Sequence, residues 1–417
     1  MLAGKEASPG LLTDEQVREL CAQALAALPL RDKRVLVLIP DHTRHAPIAL
    51  FFKTLFDLIG NEVHALDYLV ATGTHHPMSP DHVYRHVGIT ADEHAAKYAK
   101  VNFYNHEHDN PRELKTIGTI SAAELAELSG GLLSQDVVVT VNRRIFEYDY
   151  VFLISPVVPH ETVGFSGGNK YFFPGAGGVK IIETFHWIGA VITNLVVNGV
   201  KDTPVRRIID RAAQFIHVPK VCFAFTVEKK HVASLYIGQP EEAWSKAADS
   251  SAKLHVVYRS KPVRRILGVA PPIYDDIWVA GKVMYKHEPI LADGGEVIIY
   301  APHISEVSYT HGKEIAAVGY HVPEYFLKQW DKFKDVSGLI LAHSTNVKGI
   351  GIFENGVERP RVTVTLATSI SEETCKRINL NYIDPKSVDV ERMKCEQDDE
   401  FLVVENAGQN LYRLRNH

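Results

Sequence analysis

The chain has 417 residues, 46% of them hydrophobic and 23% charged, with a formal net charge of −5. That length gives room for two or three domains with their own cores, and the slight acidity leaves no electrostatic footprint for nucleic acid or an anionic membrane. The cysteines, Cys21, Cys222, Cys375 and Cys395, lie far apart without CxxC spacing, which argues against a disulfide framework or a cysteine-rich zinc site and fits a reducing compartment.

Residues 1–8 lack the apolar core of an export signal, and the apolar stretch 151–159 is interrupted by Ser155 and Pro156. The expectation is a cytoplasmic protein with no membrane span. Thr13 followed by Gln16 predicts a capping box, and Val17, Leu20, Cys21, Ala24, Leu25 and Leu28 come after it at helical spacing. Short apolar runs of buried-strand length come next, at 34–40, 63–71, 137–141 and 150–155. Helix-like segments alternate with them, for example 48–59 and 121–128, which predicts an α/β architecture with a mainly parallel sheet.

Around residues 260–275 the composition shifts to Lys, Arg and Pro, which predicts a domain boundary. Strand-like runs resume at 296–301, 338–342, 361–367 and 401–404. The expected organisation is two α/β domains, 1–265 and 266–417, with an active-site cleft between them. The last residues of the chain are expected to pack back on the first domain.

In open α/β sheets ligands bind beyond the carboxyl ends of the strands. After the first run stands Asp41-His-Thr-Arg44, after the second Thr72-Gly-Thr-His75-His76, and after the fourth His160, leading into Gly164-Phe-Ser-Gly-Gly-Asn-Lys170. Asp41 and Thr43 in such a place often cap the next helix. Arg44 is a ready bidentate clamp for a carboxylate or phosphate. Residues 164–178 hold six glycines, which let a backbone approach a ligand and form nests of N–H donors. The segment fits neither the dinucleotide fingerprint nor the P-loop. Asn105-His106-Glu107-His108-Asp109 reads either as a metal site without a defined third ligand or as a polar turn.

Taken together, His160, the glycine-rich Gly164–Lys170 run and His186 resemble the signature of the lactate racemase family. The Asp41–Arg44 and Gly73–His75 segments and Ala280-Gly-Lys282 resemble further motifs of that family. The resemblance implies a nickel pincer nucleotide, a pyridinium-3-thioamide-5-thiocarboxylic acid mononucleotide made by dedicated biosynthetic enzymes. Lys170 would attach it covalently, His186, sixteen residues on, would complete the nickel coordination, and Asp41, Thr43, Ser166, Gly167 and Gly168 would contact it. His75 and His160 would exchange the hydroxyl proton of the two antipodes while the C2 hydrogen moves as hydride. Imidazole, with an unperturbed pKa of about 6.5, suits that exchange. Arg44 and Lys282 would hold the substrate carboxylate, with Trp278 and His343 lining the rest of the site. The implied activity is racemisation or epimerisation at C2 of a 2-hydroxyacid.

Two departures point away from lactate as substrate. Trp278-Val279 stands where lactate racemases carry Tyr-Gln, and His343 falls in the region of the family's substrate-side tryptophan. A sugar acid such as an aldonate is one substrate in keeping with these changes. Read without the resemblance, the residues leave two alternatives. One is a divalent-metal lyase or hydrolase built on the His75/His76 and His106/His108 clusters. The other is a non-catalytic sugar-acid-binding protein.

Overall fold

The computed structural model describes residues 1–7, 10–44 and 46–415. The chain forms two compact units. The first comprises residues 1–158, 165–182 and 206–254, and the second comprises 159–164, 183–205 and the chain from 255 onward.

In the first unit Thr13 opens helix α1 (Asp14–Ala26) with the expected reciprocal bonds. Its Oγ1 accepts from Gln16 N at 3.2 Å, and Gln16 Oε1 accepts from Thr13 N at 3.2 Å. Helix α2 (Ile48–Ile59) buries Ile48, Phe51, Phe52, Leu55 and Ile59. A seven-stranded sheet is built from β1 (Ala3–Glu6), β2 (Arg34–Ile39), β3 (Ala65–Val70), β4 (Phe103–Asn105), β5 (Tyr150–Pro156), β6 (Lys220–Glu228) and β7 (His231–Gly238). Their order is β1-β7-β6-β5-β2-β3-β4. From β6 to β4 every pairing is parallel, whereas β7 runs antiparallel to both of its neighbours. Five successive residues of β2 are buried, as both-face coverage of a parallel strand requires.

The run at 137–141 is a strand but lies outside this sheet. Val137–Asn142 pairs antiparallel with Leu114–Ile120 in a separate ladder. Val137, Val139 and Val141 are buried while Val138 is 45% exposed, the period-two pattern of a ladder with one covered face.

The second unit has an all-parallel sheet of β8 (Val263–Val269), β9 (Leu291–Ala301), β10 (Thr363–Thr368), β11 (Asn381–Tyr382) and β12 (Phe401–Val404), ordered β11-β10-β9-β8-β12. Near the end of the chain, Leu411–Leu414 pairs in parallel with Val256–Arg259. The expectation of a strand at 338–342 is corrected: these residues begin a helix, Gly338–Lys348, buried from Ile340 to Val347. Ser337 caps it, its Oγ accepting from Leu339 N at 3.3 Å. A helix covered on all sides has no polar stripe, so its first turns read as a short apolar run.

Three more helices adjoin the glycine-rich segment in sequence or in space: α3 (Val179–Ile192), α4 (Pro204–Ala213) and α5 (Pro240–His255). Helix α3 starts in the first unit and ends in the second. Among the described residues no helix is long and apolar enough to cross a membrane.

Candidate active site

Strands β5, β2 and β3 are neighbours and parallel, so their carboxyl ends lie side by side on the first unit. Asp41 follows β2 and is 4% exposed. It does not cap α2, whose N-cap is Pro47 without a side-chain bond. Instead its Oδ1 accepts from Thr43 N at 3.1 Å and Thr43 Oγ1 at 2.6 Å, and its Oδ2 lies 2.5 Å from His75 Nδ1. Burial alone would raise this carboxyl's pKa. The His75 hydrogen bond and charge, with Thr43 and Arg44, more than offset that and hold it well below the usual carboxylate range. The His75 side chain is 43% exposed. Asp41 thereby orients the imidazole through Nδ1. Arg44 is half-buried, its N–H donating to Asp41 O at 3.3 Å.

The glycine-rich segment is tied down at many points. Gly73 N, after β3, donates to Gly175 O at 3.0 Å; Asn142 N donates to Ala176 O at 2.8 Å and Gly178 N to Thr140 O at 3.0 Å. Ser166 Oγ donates to Pro156 O and accepts from Val158 N, both at 3.0 Å, so most of its bonding capacity serves the local backbone. Gly167 and Gly168 have φ of +81° and +62°. A Cβ at Gly167 would stand 2.6 Å from Ser155 Oγ, and one at Gly168 2.9 Å from the Trp244 ring. The backbone is pressed against the scaffold there, and only glycine fits. Lys170 is half-buried on the following turn. Its N–H donates to Gly167 O at 3.3 Å and its carbonyl accepts from Gly175 N at 3.1 Å.

His106 has a structural task. It is fully buried, its Nε2 bonds Gly177 O at 2.8 Å, its Nδ1 lies 3.3 Å from Asn142 Nδ2, and burial pushes its pKa down to about 4. This removes it from the clustered-histidine metal alternative. Among the described residues no group of three or more His, Cys, Asp or Glu could hold a metal ion.

The remaining predicted residues belong to the second unit. His160 is 8% exposed; its Nδ1 accepts from Thr162 N at 3.2 Å and lies 3.3 Å from Glu161 Oε2. These contacts serve different proton states: Thr162 suits an unprotonated Nδ1, and Glu161 suits Nδ1–H. His186 is half-buried on α3, its ring stacked on Phe185 at 4.6 Å. Trp278 lies between two imidazoles, stacked on His343 at 4.0 Å and tilted against His311 at 4.5 Å. His343 bonds Tyr320 Oη through Nε2 at 3.3 Å, and burial, then His311, pushes its pKa down to about 3. It is neutral at physiological pH and offers no countercharge. Lys282 Nζ stands 5.2 Å from the centre of the Tyr274 ring.

Sequence reasoning missed the side chains that grip the Lys170 turn from the scaffold side, Arg206 on α4 and Trp244 on α5. Neither stands in a motif, and amphipathic helices carry such residues for many reasons.

Polar residues thus gather at the ends of parallel strands, the edge at which α/β sheets generally bind ligands, around a pinned glycine-rich turn bearing a lysine. Residues 13–195 match the lactate racemase N-terminal domain. Over 292 residues the chain is 25% identical to a lactate racemase of Thermoanaerobacterium thermosaccharolyticum, covering 68% of this chain and 62% of that enzyme. It thus spans less than two thirds of that curated relative. The structure is similar to a crystal structure of a protein from Thermotoga maritima, with TM-score 0.87 and 33% identity over 99% of this chain and 100% of that one. The lactate racemase apoprotein of T. thermosaccharolyticum shares the fold, with TM-score 0.70 and 19% identity over 95% and 89% of the two chains. Residues 13–195 thus carry the N-terminal domain of the lactate racemase family.

Proposed function

We propose that the protein inverts C2 of a 2-hydroxyacid other than lactate, using a nickel pincer nucleotide joined to Lys170. The observation that carries this reading is the arrangement on the first unit: a buried Asp41 oriented on His75, linked through the Gly73–Gly175 bond to the pinned turn that bears Lys170.

The residues fit the group. The chain offers an amine, Lys170, for attachment and an imidazole, His186, for nickel. Cys222 is buried beside Ser155, its thiol pushed up to about 12 by burial, so soft sulfur donors would come from the cofactor. The Oδ1 of Asn169, next to Lys170, is buried without a partner and would accept a bond from a bound polar group. Thr43, Ser166, Gly167 and Gly168 complete the proposed cofactor contacts. When bound, the cofactor supplies acceptance and return of the C2 hydride.

The chain does the rest. Arg44 and Lys282 hold the carboxylate. His75 Nε2 takes the hydroxyl proton of one antipode, and Asp41 stabilises the resulting imidazolium through Nδ1. His160 serves the other antipode, Glu161 accepting from Nδ1–H when the ring is charged. Trp278 and His343 meet the substrate beyond C2, and the neutral His343 favours an uncharged hydroxylated tail, as in an aldonate, over a second carboxylate.

The test uses protein made together with the cofactor-building enzymes and a panel of 2-hydroxyacids deuterated at C2. Inversion with deuterium retained at C2 is the expected result, together with a heavier intact mass mapping to Lys170. Loss of the label to solvent would mean proton abstraction at carbon and would overturn the reading.

A further inference from the structure

Three consecutive carbonyls of the glycine-rich turn are taken by two side chains from the helices behind it. Arg206 Nη2 donates to Phe165 O at 2.5 Å, Trp244 Nε1 to Ser166 O at 2.8 Å, and Arg206 Nη1 to Gly167 O at 3.1 Å. The guanidinium lies 4.0 Å over the Trp244 ring, and both residues are buried. The next residue, Asn169, is 1% exposed and donates through Nδ2 to Asp210 at 3.0 Å and Glu241 at 2.7 Å. A buried arginine is costly to place. Burial pulls the Arg206 pKa down to about 10, against the carboxylates of Asp210 and Glu241. A surface loop has no need of such an anchor.

The carbonyl of Gly167 accepts from Arg206 and also from Lys170 N, at 3.3 Å. From there the bonds run on: Gly175 N to Lys170 O at 3.1 Å, Gly73 N to Gly175 O at 3.0 Å, and His75 N to Thr72 O at 3.0 Å. One connected set of bonds thus joins Arg206 to the Lys170 backbone and to the loop that carries His75. We propose that Arg206 and Trp244 are positioning residues for Lys170. They hold the carbonyl face of the 165–167 turn so that the amine is presented in one backbone conformation for attachment. The inference rests on the covalent role proposed for Lys170.

Three variants test it. Trp244→Phe keeps a ring under the guanidinium and removes the Nε1 donor. Arg206→Lys keeps the charge but reaches one carbonyl instead of two, and Arg206→Met keeps neither. In unmodified protein, amide exchange over residues 165–171 should speed up about fivefold to tenfold in Trp244→Phe, the equivalent of one lost hydrogen bond. Acylation of Lys170 by a small reagent should also quicken relative to exposed Lys53, because the turn opens. In protein made with the cofactor-building enzymes, the adduct at Lys170 should form about tenfold more slowly, since a misplaced reacting group loses rate steeply. Arg206→Lys should recover part of what Arg206→Met loses. Exchange and labelling need no cofactor, so they report on the turn even if wild-type protein carries no adduct, a result that would instead sink the attachment itself. Wild-type exchange, labelling and attachment in a folded Trp244→Phe chain would overturn the positioning role. If Arg206→Met does not fold, the Trp244→Phe and Arg206→Lys results still decide.

Discussion

Asp41 carries the clearest electrostatic consequence at the scale of single residues. Its folded-state pKa lies below the ordinary value of 3.8, so its contribution is present above that pH and is lost as pH falls below it. Asp41→Asn should cost about 1.5 kcal/mol at neutral pH, the low end for a charged hydrogen bond because His75 is partly exposed. The gap in urea midpoint between wild type and variant should be full near pH 7 and close below 3.8. A gap independent of pH would show that the carboxylate charge contributes nothing. In loaded enzyme the same change should lower inversion about 10²-fold or more, since Nδ1 would no longer be held as the donor. The Trp278→Tyr/Val279→Gln pair tests substrate choice. Relative activity should move toward lactate by about 1–3 kcal/mol, the usual reach of such pocket contacts. An unmoved preference would take these positions out of the pocket. Asp41, Arg44 and His75 stood out in the sequence as candidates because each follows a strand end, where open α/β sheets bind ligands. The Asp41–His75 bond was not, because it joins residues 34 positions apart across two strand ends.

Strands buried on both faces were readable as elements, since β2 and β5 are nearly continuous apolar runs of strand length and β3 is interrupted only by Asp67. The same rule failed at Gly338–Lys348, where complete burial hides the helical period. Capping decides such a case. Ser337→Ala removes the bond to Leu339 N and should cost about 1 kcal/mol, read as a lower melting temperature; no change would mean that packing alone fixes the start of this helix. The glycine-rich segment was recognisable by composition, but its rigidity comes from distant partners, His106, Asn142, Arg206 and Trp244. Gly167→Ala places a side chain at φ +81° and 2.6 Å from Ser155 Oγ. It should destabilise the protein by about 1–3 kcal/mol and accelerate amide exchange around Lys170. Exchange confined to wild-type rates would show that the turn has room the structure does not suggest.

Across the whole molecule, a boundary near residue 265 follows from composition, yet the second unit also takes residues 159–164 and 183–205. The reason is visible in the packing of the later part of α3. Trp187 and Ala190 share a cluster with Phe326, Phe333, Leu341 and Ala342, and Trp187 also stacks on Trp330 at 5.6 Å. Nearby, Asn194 Nδ2 donates to Tyr285 O at 2.8 Å and to the buried Glu288 at 3.2 Å. A chain cut at 265 would therefore keep the strands and helices of the first unit but strip the partners from residues 183–205. Those residues would present Trp187 and other apolar side chains to water, together with Asn194 robbed of its carboxylate. Exposed apolar surface of this kind promotes association and binds hydrophobic dyes. The 1–265 fragment should bind such a dye and melt broadly, whereas the full chain should unfold in sharper, cooperative steps. A longer cut would not cure this, because the missing partners extend to residue 342. A fragment 1–265 that stays monomeric, excludes the dye and melts cooperatively would show that residues 183–205 can be accommodated by the first unit alone, and that the compositional boundary is also a folding boundary.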